Sequence, residues 1–508
     1  MWRLCLLTAA TFLCVCAPAS AHPHHAHPHT HEPVEAPDTG PVQYPAPSDS
    51  ARWLAGDHHV HSEYSVTWSE KGTPSEDQPP VPRIAGDAIY PIIENARQAR
   101  AYGLDWMVST DHGGPNHSRL NLEHAYPDVL AARAAFPDLI LFYGMEFDTP
   151  GADHSSLIIP HTPDEAERLF EIESQYNKRE PFPPDLGWDL EPRMDEALRV
   201  MGDLPVPPVM FANHPARSFF QGSYGRVQPS ELRRWNDIAP HVMVGMEGAP
   251  GHQARAIMPD GSLHPTAPRA GYTEVQTYGG YDPLTATLGG FWDSMLGEGR
   301  RWWVTATSDS HRNWRDGGDD FWPGEYAKTF VFADKSYDAV LEGLRAGRVF
   351  VATGELITEL SMALDASGGA RTRHLGETLT VTQGEDVVIT LSFTDPQTEN
   401  ANGDDPSVER VDVIVGEFVE PVGEHRDQNP TTRVLERLPR SQWRQTGDSL
   451  SHQIVIENVQ TGFYVRLRGT NTDEDEPEAD PRGEDPWADL WLYSNPVFVD
   501  VVPASEPH

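Results

Sequence analysis

From residue 53 to about residue 355, short apolar runs alternate with helix-like stretches, and the apolar runs end in residues of one chemical kind. The runs lie at 105–110, 139–145, 209–212, 241–246 and 302–306, after a first one near residue 53. The stretch 87–102 has helical spacing in Ile92, Ile93, Ala96 and Ala99, with Asp87 as its expected cap. Residues 193–201 and 336–346 have the same period, and Gly347 is the expected stop of the latter. Strands alternating with helices predict a parallel sheet, open or closed into a barrel.

The strand ends carry the chemistry. They read Asp57-His58-His59-Val60-His61, Ser109-Thr110-Asp111-His112, Met145-Glu146, Asn213-His214-Pro215, Met246-Glu247 and Ser308-Asp309-Ser310-His311. In an α/β barrel the C-terminal ends of parallel strands share one mouth, so six ends would deliver His, Asp or Glu to one place. On an extended strand His59 and His61 face the same side, as do Asp309 and His311. Imidazole with carboxylate suits Zn, Mn or Fe.

Taken together, these motifs make the chain resemble the PHP (polymerase and histidinol phosphatase) superfamily of metal-dependent phosphoesterases. The resemblance covers about residues 53–355, and the stretch 344–351 is similar to the closing segment of secreted members that carry a C-terminal β domain, including the branch resembling carbaryl hydrolases. It implies a distorted (β/α) barrel over 51–356. It also implies that His59, His61, Glu146 and Asp309 form a first metal site, with Glu146 bridging to a second site of His154 and His214. Many members hold a third metal through the histidines matching His112 and His311, plus an acid or histidine five or six residues after the His-x-His pair. Here those positions are Val66 and Thr67. His112 and His311 are therefore either ligands of a weaker third site or proton donors. The cofactor expectation is two divalent ions (Zn, Mn or Fe), with a third left open.

The chemistry expected is hydrolysis by a metal-activated water, with phosphoesters as the leading substrate class. Arg217 is placed either to pair with a phosphate oxygen or to form a surface salt bridge. Carbamate, ester or amide hydrolysis at the same metals is the alternative, and a non-catalytic metal-binding protein is the alternative of another class. Glu247 and His252 either line the pocket or shape a Pro/Gly turn, and Trp314 is the tryptophan expected at the pocket. Gly447-Asp448-Ser449-Leu450 matches a lipase-like tetrapeptide but lacks the strand–turn–helix that a nucleophile elbow needs.

Past residue 357 the pattern becomes all-β. Runs at 378–381, 386–393, 411–415, 452–456, 463–467 and 496–501 are rich in Val, Ile, Phe and Tyr and separated by turn residues, predicting a sandwich over 357–508. The acidic insertion 471–485 reads as a solvated loop, with calcium binding as the lesser reading. At the other end, Arg3, the apolar run 4–15 and Ala19-Ser20-Ala21 read as a signal peptide over 1–21. The His- and Pro-rich linker 22–50 follows. Its histidines (His22, His24, His25, His27, His29, His31) could hold metal loosely. All three cysteines fall inside the first 16 residues, so cleavage after Ala21 leaves a chain without thiol chemistry. The expected address is periplasmic or secreted. With 38 basic against 77 acidic residues the net charge is −39, which argues against nucleic acid and anionic membrane as partners and leaves a small molecule.

Overall fold

A computed structural model describes residues 44–68, 80–217, 227–272, 275–366, 371–419 and 427–504. The expected signal peptide and most of the His-rich linker lie outside the described residues. No helix among the described residues is long and apolar enough to cross a membrane.

The protein is mixed α/β, with a large mixed sheet and additional antiparallel sheets. Its site-bearing strands are β1 (Arg52–Val60), β2 (Trp106–Ser109), β3 (Ile140–Asp148), β4 (His154–Ile158), β5 (Val209–Ala212), β6 (Met243–Ala249) and β7 (Trp303–Ala306), adjacent in that order. β1, β2 and β3 are mutually parallel, as are β5, β6 and β7. β4 is antiparallel to both its neighbours, pairing Asp148 with His154 and Ser155 with Ala212. These strands are buried on both faces, which explains why they read as near-continuous apolar runs. The helices α1 (Ile92–Ala101), α2 (Tyr126–Ala135), α3 (Glu165–Tyr176), α4 (Glu191–Gly202) and α5 (Pro229–Ile238) lie in the connections.

Strand β8 (Ala327–Ala333) pairs antiparallel with β1. The far end of the strand series returns to meet it. Thr329 Oγ1 of β8 donates to the carbonyl of Ala306 at the end of β7 and accepts from its N–H, both at 2.8 Å. Just beyond, Val60 bridges to Ser310 in parallel. The sheet therefore curls until its first and seventh strands end side by side. Gly56 permits the tight packing on the way: a Cβ there would lie 1.9 Å from the Trp106 ring.

β9 (Val349–Thr353) carries the sheet across residue 356 without a break. It pairs with β17 (Trp491–Ser494), through Phe350↔Ser494 and Ala352↔Leu492. Between them in sequence come β10 (Glu359–Ala366), β11 (Thr378–Thr382), β12 (Val387–Thr394), β13 (Arg410–Glu417), β14 (Arg433–Pro439), β15 (Ser449–Ile456) and β16 (Phe463–Thr470), and β18 (Val497–Val502) closes the chain. β11, β18, β16, β13 and β14 extend the large sheet, while β10, β12 and β15 belong to a separate antiparallel sheet. Along β10 and β12 burial alternates residue by residue, the mark of strands with one face on a core and one toward water.

A buried ion pair also joins the two regions. Arg466 of β16 donates through Nε and Nη2 to the two carboxylate oxygens of Asp293, at 2.8 Å each, and Asp293 sits on the helix α6 (Phe291–Gly297). Helix α7 (Tyr337–Arg345) matches its sequence signature: the Ser336 side chain accepts from the Ala339 N–H, and Gly347 follows in the left-handed region.

Candidate metal centre

The parallel strands point their C-terminal ends the same way, and this brings His59, His61, Glu146, His214 and Asp309 to one edge. His154 joins them for a different reason. β4 runs backwards, so its first residue lies at that edge, opposite Asp148 in the β3–β4 hairpin. The strand-end rule reaches His154 only through the reversal, which the length of residues 147–153 alone does not announce.

Glu146 is the hub. His59 Nε2 lies 3.2 Å and His214 Nε2 3.1 Å from its Oε1, and His154 Nδ1 lies 2.9 Å from the same oxygen. His61 Nε2 is 3.6 Å from its Oε2. Asp309 Oδ1 stands 3.1 Å from both His59 Nε2 and His61 Nε2, and those two nitrogens are 2.9 Å apart. The ligand-capable groups thus fall into His59/His61/Asp309 and Glu146/His154/His214. Ligands about 2.0–2.2 Å from one ion stand roughly 3.0–3.5 Å from each other, which is the spacing found.

Two atoms make the fit specific. Asp309 Oδ1 and His154 Nδ1 are buried, crowded by other ligand-type atoms, and form no hydrogen bond. A buried polar atom left so is costly, and a cation accepting both lone pairs removes the cost. These groups could hold metal ions.

Beside His112 and His311 stands a carboxylate that the sequence pattern did not point to. Asp87, expected to cap a helix, does not: α1 begins at Ile92 after Pro91. Instead the Asp87 carboxylate faces the mouth, with Oδ2 3.1 Å from His112 Nε2 and 3.9 Å from His311 Nε2. His61, His112 and His311 form a further ligand-capable group beside it. Asp87 thus places a carboxylate beside this group, where Val66 and Thr67 supply none. Val66 itself is buried in the core.

Surrounding carboxylates orient the rings. Glu247 is fully buried; its Oε1 accepts from His59 Nδ1 at 2.6 Å and from Thr307 Oγ1 at 2.9 Å, while Oε2 accepts from the His214 N–H at 2.6 Å. It holds His59 and His214 and does not merely shape a turn. Asp148 Oδ1 stands 3.3 Å from His154 Nε2, leaving Nδ1 to face Glu146. His61 Nδ1 meets Ser65 Oγ at 2.7 Å, and Ser65 and Ser62 both donate to Asp111. Asn213 donates to Glu146 Oε1 at 3.1 Å while its own oxygen accepts from Ser156. Such partners fix tautomer and ring angle. His214 and Asp309 hold positive φ (31° and 46°), a strain that clusters at functional sites.

The electrostatics follow from the crowding. Burial opposes ionisation of Glu146 and Asp309, but the histidines around them outweigh it and hold both carboxyls well below the usual range. Burial also opposes charging of His59; Asp309, Glu247 and Glu146 outweigh it and raise its pKa. His61 moves the other way, lowered by burial and by His311. His154 is pushed up to about 10, as Glu146 and Asp148 overcome its burial.

The centre opens into a cavity of about 490 Å³ lined by Asp87, His112, His154, Arg217, His252 and Arg312 among others. Arg217 lies at this mouth, with Nη2 3.3 Å from Asp153 Oδ1, so it is neither free nor a remote surface pair. Trp314 does not line the cavity; Arg315 stacks over its ring and Glu325 accepts from its Nε1. Trp302 and Trp303 are core residues, as their strand position predicts. Asp480 and Glu484 of the acidic insertion do converge with Asp489 just beyond it, but the buried Arg269 guanidinium faces all three within 3.8 Å and supplies the cation. Gly447 and Asp448 form the tight turn leading into β15, so no nucleophile elbow exists there.

Comparison with family models and with curated proteins returns no match to this chain.

Proposed function

We propose that the protein is an exported metal-dependent hydrolase of the PHP type, a distorted (β/α) barrel with a C-terminal β-sandwich, acting on phosphoesters. The observation that carries the reading is the convergence of His59, His61, Asp309, His154 and His214 on Glu146, with Asp309 Oδ1 and His154 Nδ1 buried and without hydrogen bonds. His59, His61, Glu146 and Asp309 would hold a first ion, and Glu146, His154 and His214 a second. Asp87, His112 and His311 would hold a third, which assigns the latter two as ligands rather than proton donors. When bound, the ions acidify an attacking water near neutral pH and neutralise charge developing on the substrate.

The remaining groups act on the substrate. Arg217 and Arg312 present guanidinium groups to the cavity of a strongly acidic protein, which favours an anionic phosphoester over a neutral carbamate. Asp153 holds Arg217 at the rim of the cavity that the metal centre opens into. Export rests on the sequence of residues 1–21 alone. A panel of phosphomonoesters, phosphodiesters, carboxylic esters and carbamates tests the reading: turnover is expected on phosphoesters, weakened by Arg217→Ala through KM. Turnover of carbamates or carboxylic esters alone would contradict it.

A further inference from the structure

One histidine in the mouth remains outside all three ligand groups just described. His252 lines the same cavity, on the loop that follows β6. Its Nε2 lies 2.9 Å from Asp309 Oδ2, and its Nδ1 donates to Asp320 Oδ1 at 2.5 Å. Asp320 is nearly fully buried and accepts, on its other oxygen, from the backbone N–H groups of His311 (2.6 Å) and Arg312 (2.7 Å). A carboxylate therefore stands at each nitrogen of the His252 ring.

The backbone is built around this contact. His252 holds φ at 57°, a region that a β-carbon makes unfavourable, and its N–H donates to the carbonyl of Ser308. The preceding Gly251 lets the loop press against the ligand strand: a Cβ there would fall 2.1 Å from Asp309 Cβ and 2.2 Å from Ser308 O. The two oxygens of Asp309 are thereby divided. Oδ2 is taken by His252, and Oδ1 is left without a hydrogen bond between His59 and His61. His252, His311 and Asp320 also come close enough to suggest an ion of their own. Their facing atoms are already used: His252 Nδ1 and Asp320 by each other, and His311 Nδ1 by the Asp309 carbonyl at 2.9 Å.

We infer that His252, backed by Asp320, is a positioning residue that occupies the outer oxygen of Asp309 and so presents only Oδ1 to the first metal. Asp320 extends the same control to the loop carrying His311. This inference rests on the metal-centre reading above. Loss of an outer partner of this kind typically weakens a metal site 10- to 100-fold.

The test uses the full chain and zinc. Each protein is loaded and dialysed, and zinc affinity is measured by chelator competition for the parent, His252→Ala, His252→Gln and Asp320→Asn. In parallel, the melting of each metal-stripped protein is recorded. The expected result is that His252→Ala weakens one zinc equivalent at least 10-fold without lowering the melting of the stripped protein. His252→Gln, whose amide can still donate to Asp309, recovers most of the affinity, and Asp320→Asn falls between. Equal zinc affinity in His252→Ala and parent would overturn the inference. So would failure of His252→Gln to rescue while the stripped protein stays stable, because His252 would then be a ligand itself. A parent that retains no zinc would defeat the metal-centre reading, a result distinct from either.

Discussion

Replacing Glu247 by Gln changes one atom, and the structure fixes what that atom costs. The two Glu247 oxygens accept from three donors: His59 Nδ1, Thr307 Oγ1 and the His214 N–H. A glutamine has one oxygen and one NH2. If its NH2 faces His214, a backbone N–H loses its acceptor in a fully buried place. If it faces His59, the ring must turn its lone pair to Nδ1 and protonate Nε2, the nitrogen that points at Asp309 and Glu146. The first choice costs about 1–3 kcal/mol as an unsatisfied buried donor. The second removes a metal ligand by choosing the wrong tautomer. The first choice disturbs the second site through His214 and the second disturbs the first site through His59, so one of the two Glu146-linked sites should lose about 10- to 100-fold in affinity, or about 1.4–2.8 kcal/mol. The assay is chelator competition on parent and Glu247→Gln, with circular dichroism to confirm folding. A folded Glu247→Gln protein with unchanged zinc affinity would refute the tautomer argument, and with it the placement of His59 as a ligand.

Asp87→Asn should lower retained zinc by one equivalent and leave the two Glu146-linked ions in place; elemental analysis reads this directly. Arg466→Met should cost about 3–5 kcal/mol in denaturant unfolding, because Asp293 is then buried without its bidentate partner. For the same reason, removal of residues 357–508 should yield insoluble protein, since it also strips β9 of its neighbour β17. Recovery of a folded, monodisperse fragment would contradict this. His117 supplies a pH signature away from the metals. Burial would lower its pKa, but Glu173, 2.6 Å from Nδ1, outweighs it and raises it to about 9. The folded state therefore binds the proton more tightly than the unfolded chain does. The stabilisation is fully present below about pH 6.5 and is lost as pH rises through about 9. Denaturant midpoints should fall between pH 7 and 9.5 in the parent, and His117→Gln should flatten that fall.

The sequence made most of the site legible because parallel strands deliver their ends to one edge, and His59, His61, Glu146, His214 and Asp309 all sit on such ends. Asp87 escaped because an Asp ahead of an apolar helical period reads as a cap, while Pro91 moves the real helix start to Ile92. The support given by Glu247 could not be read from spacing, since its partners His59 and His214 come from two other strands. The run at 496–501 was legible as a strand, but β9 pairing with β17 across almost 140 residues of sequence is a non-local choice that no local pattern encodes. Trp314 was misplaced because proximity in sequence to His311 does not set side-chain direction, and Arg315 and Glu325 turn it away from the cavity.

The most direct test of the central claim is the metal content of the chain starting at residue 44, beside the same chain with Glu146→Ala. That start removes the His-rich tract but keeps Pro45, whose carbonyl accepts from Arg348, and Ser48 and Ser50, which donate to Asp334. The account predicts three tightly held divalent ions in the first protein and the loss of at least two in the second, because Glu146 serves both of the first two sites. No retained metal, or the same content in both proteins, would contradict it.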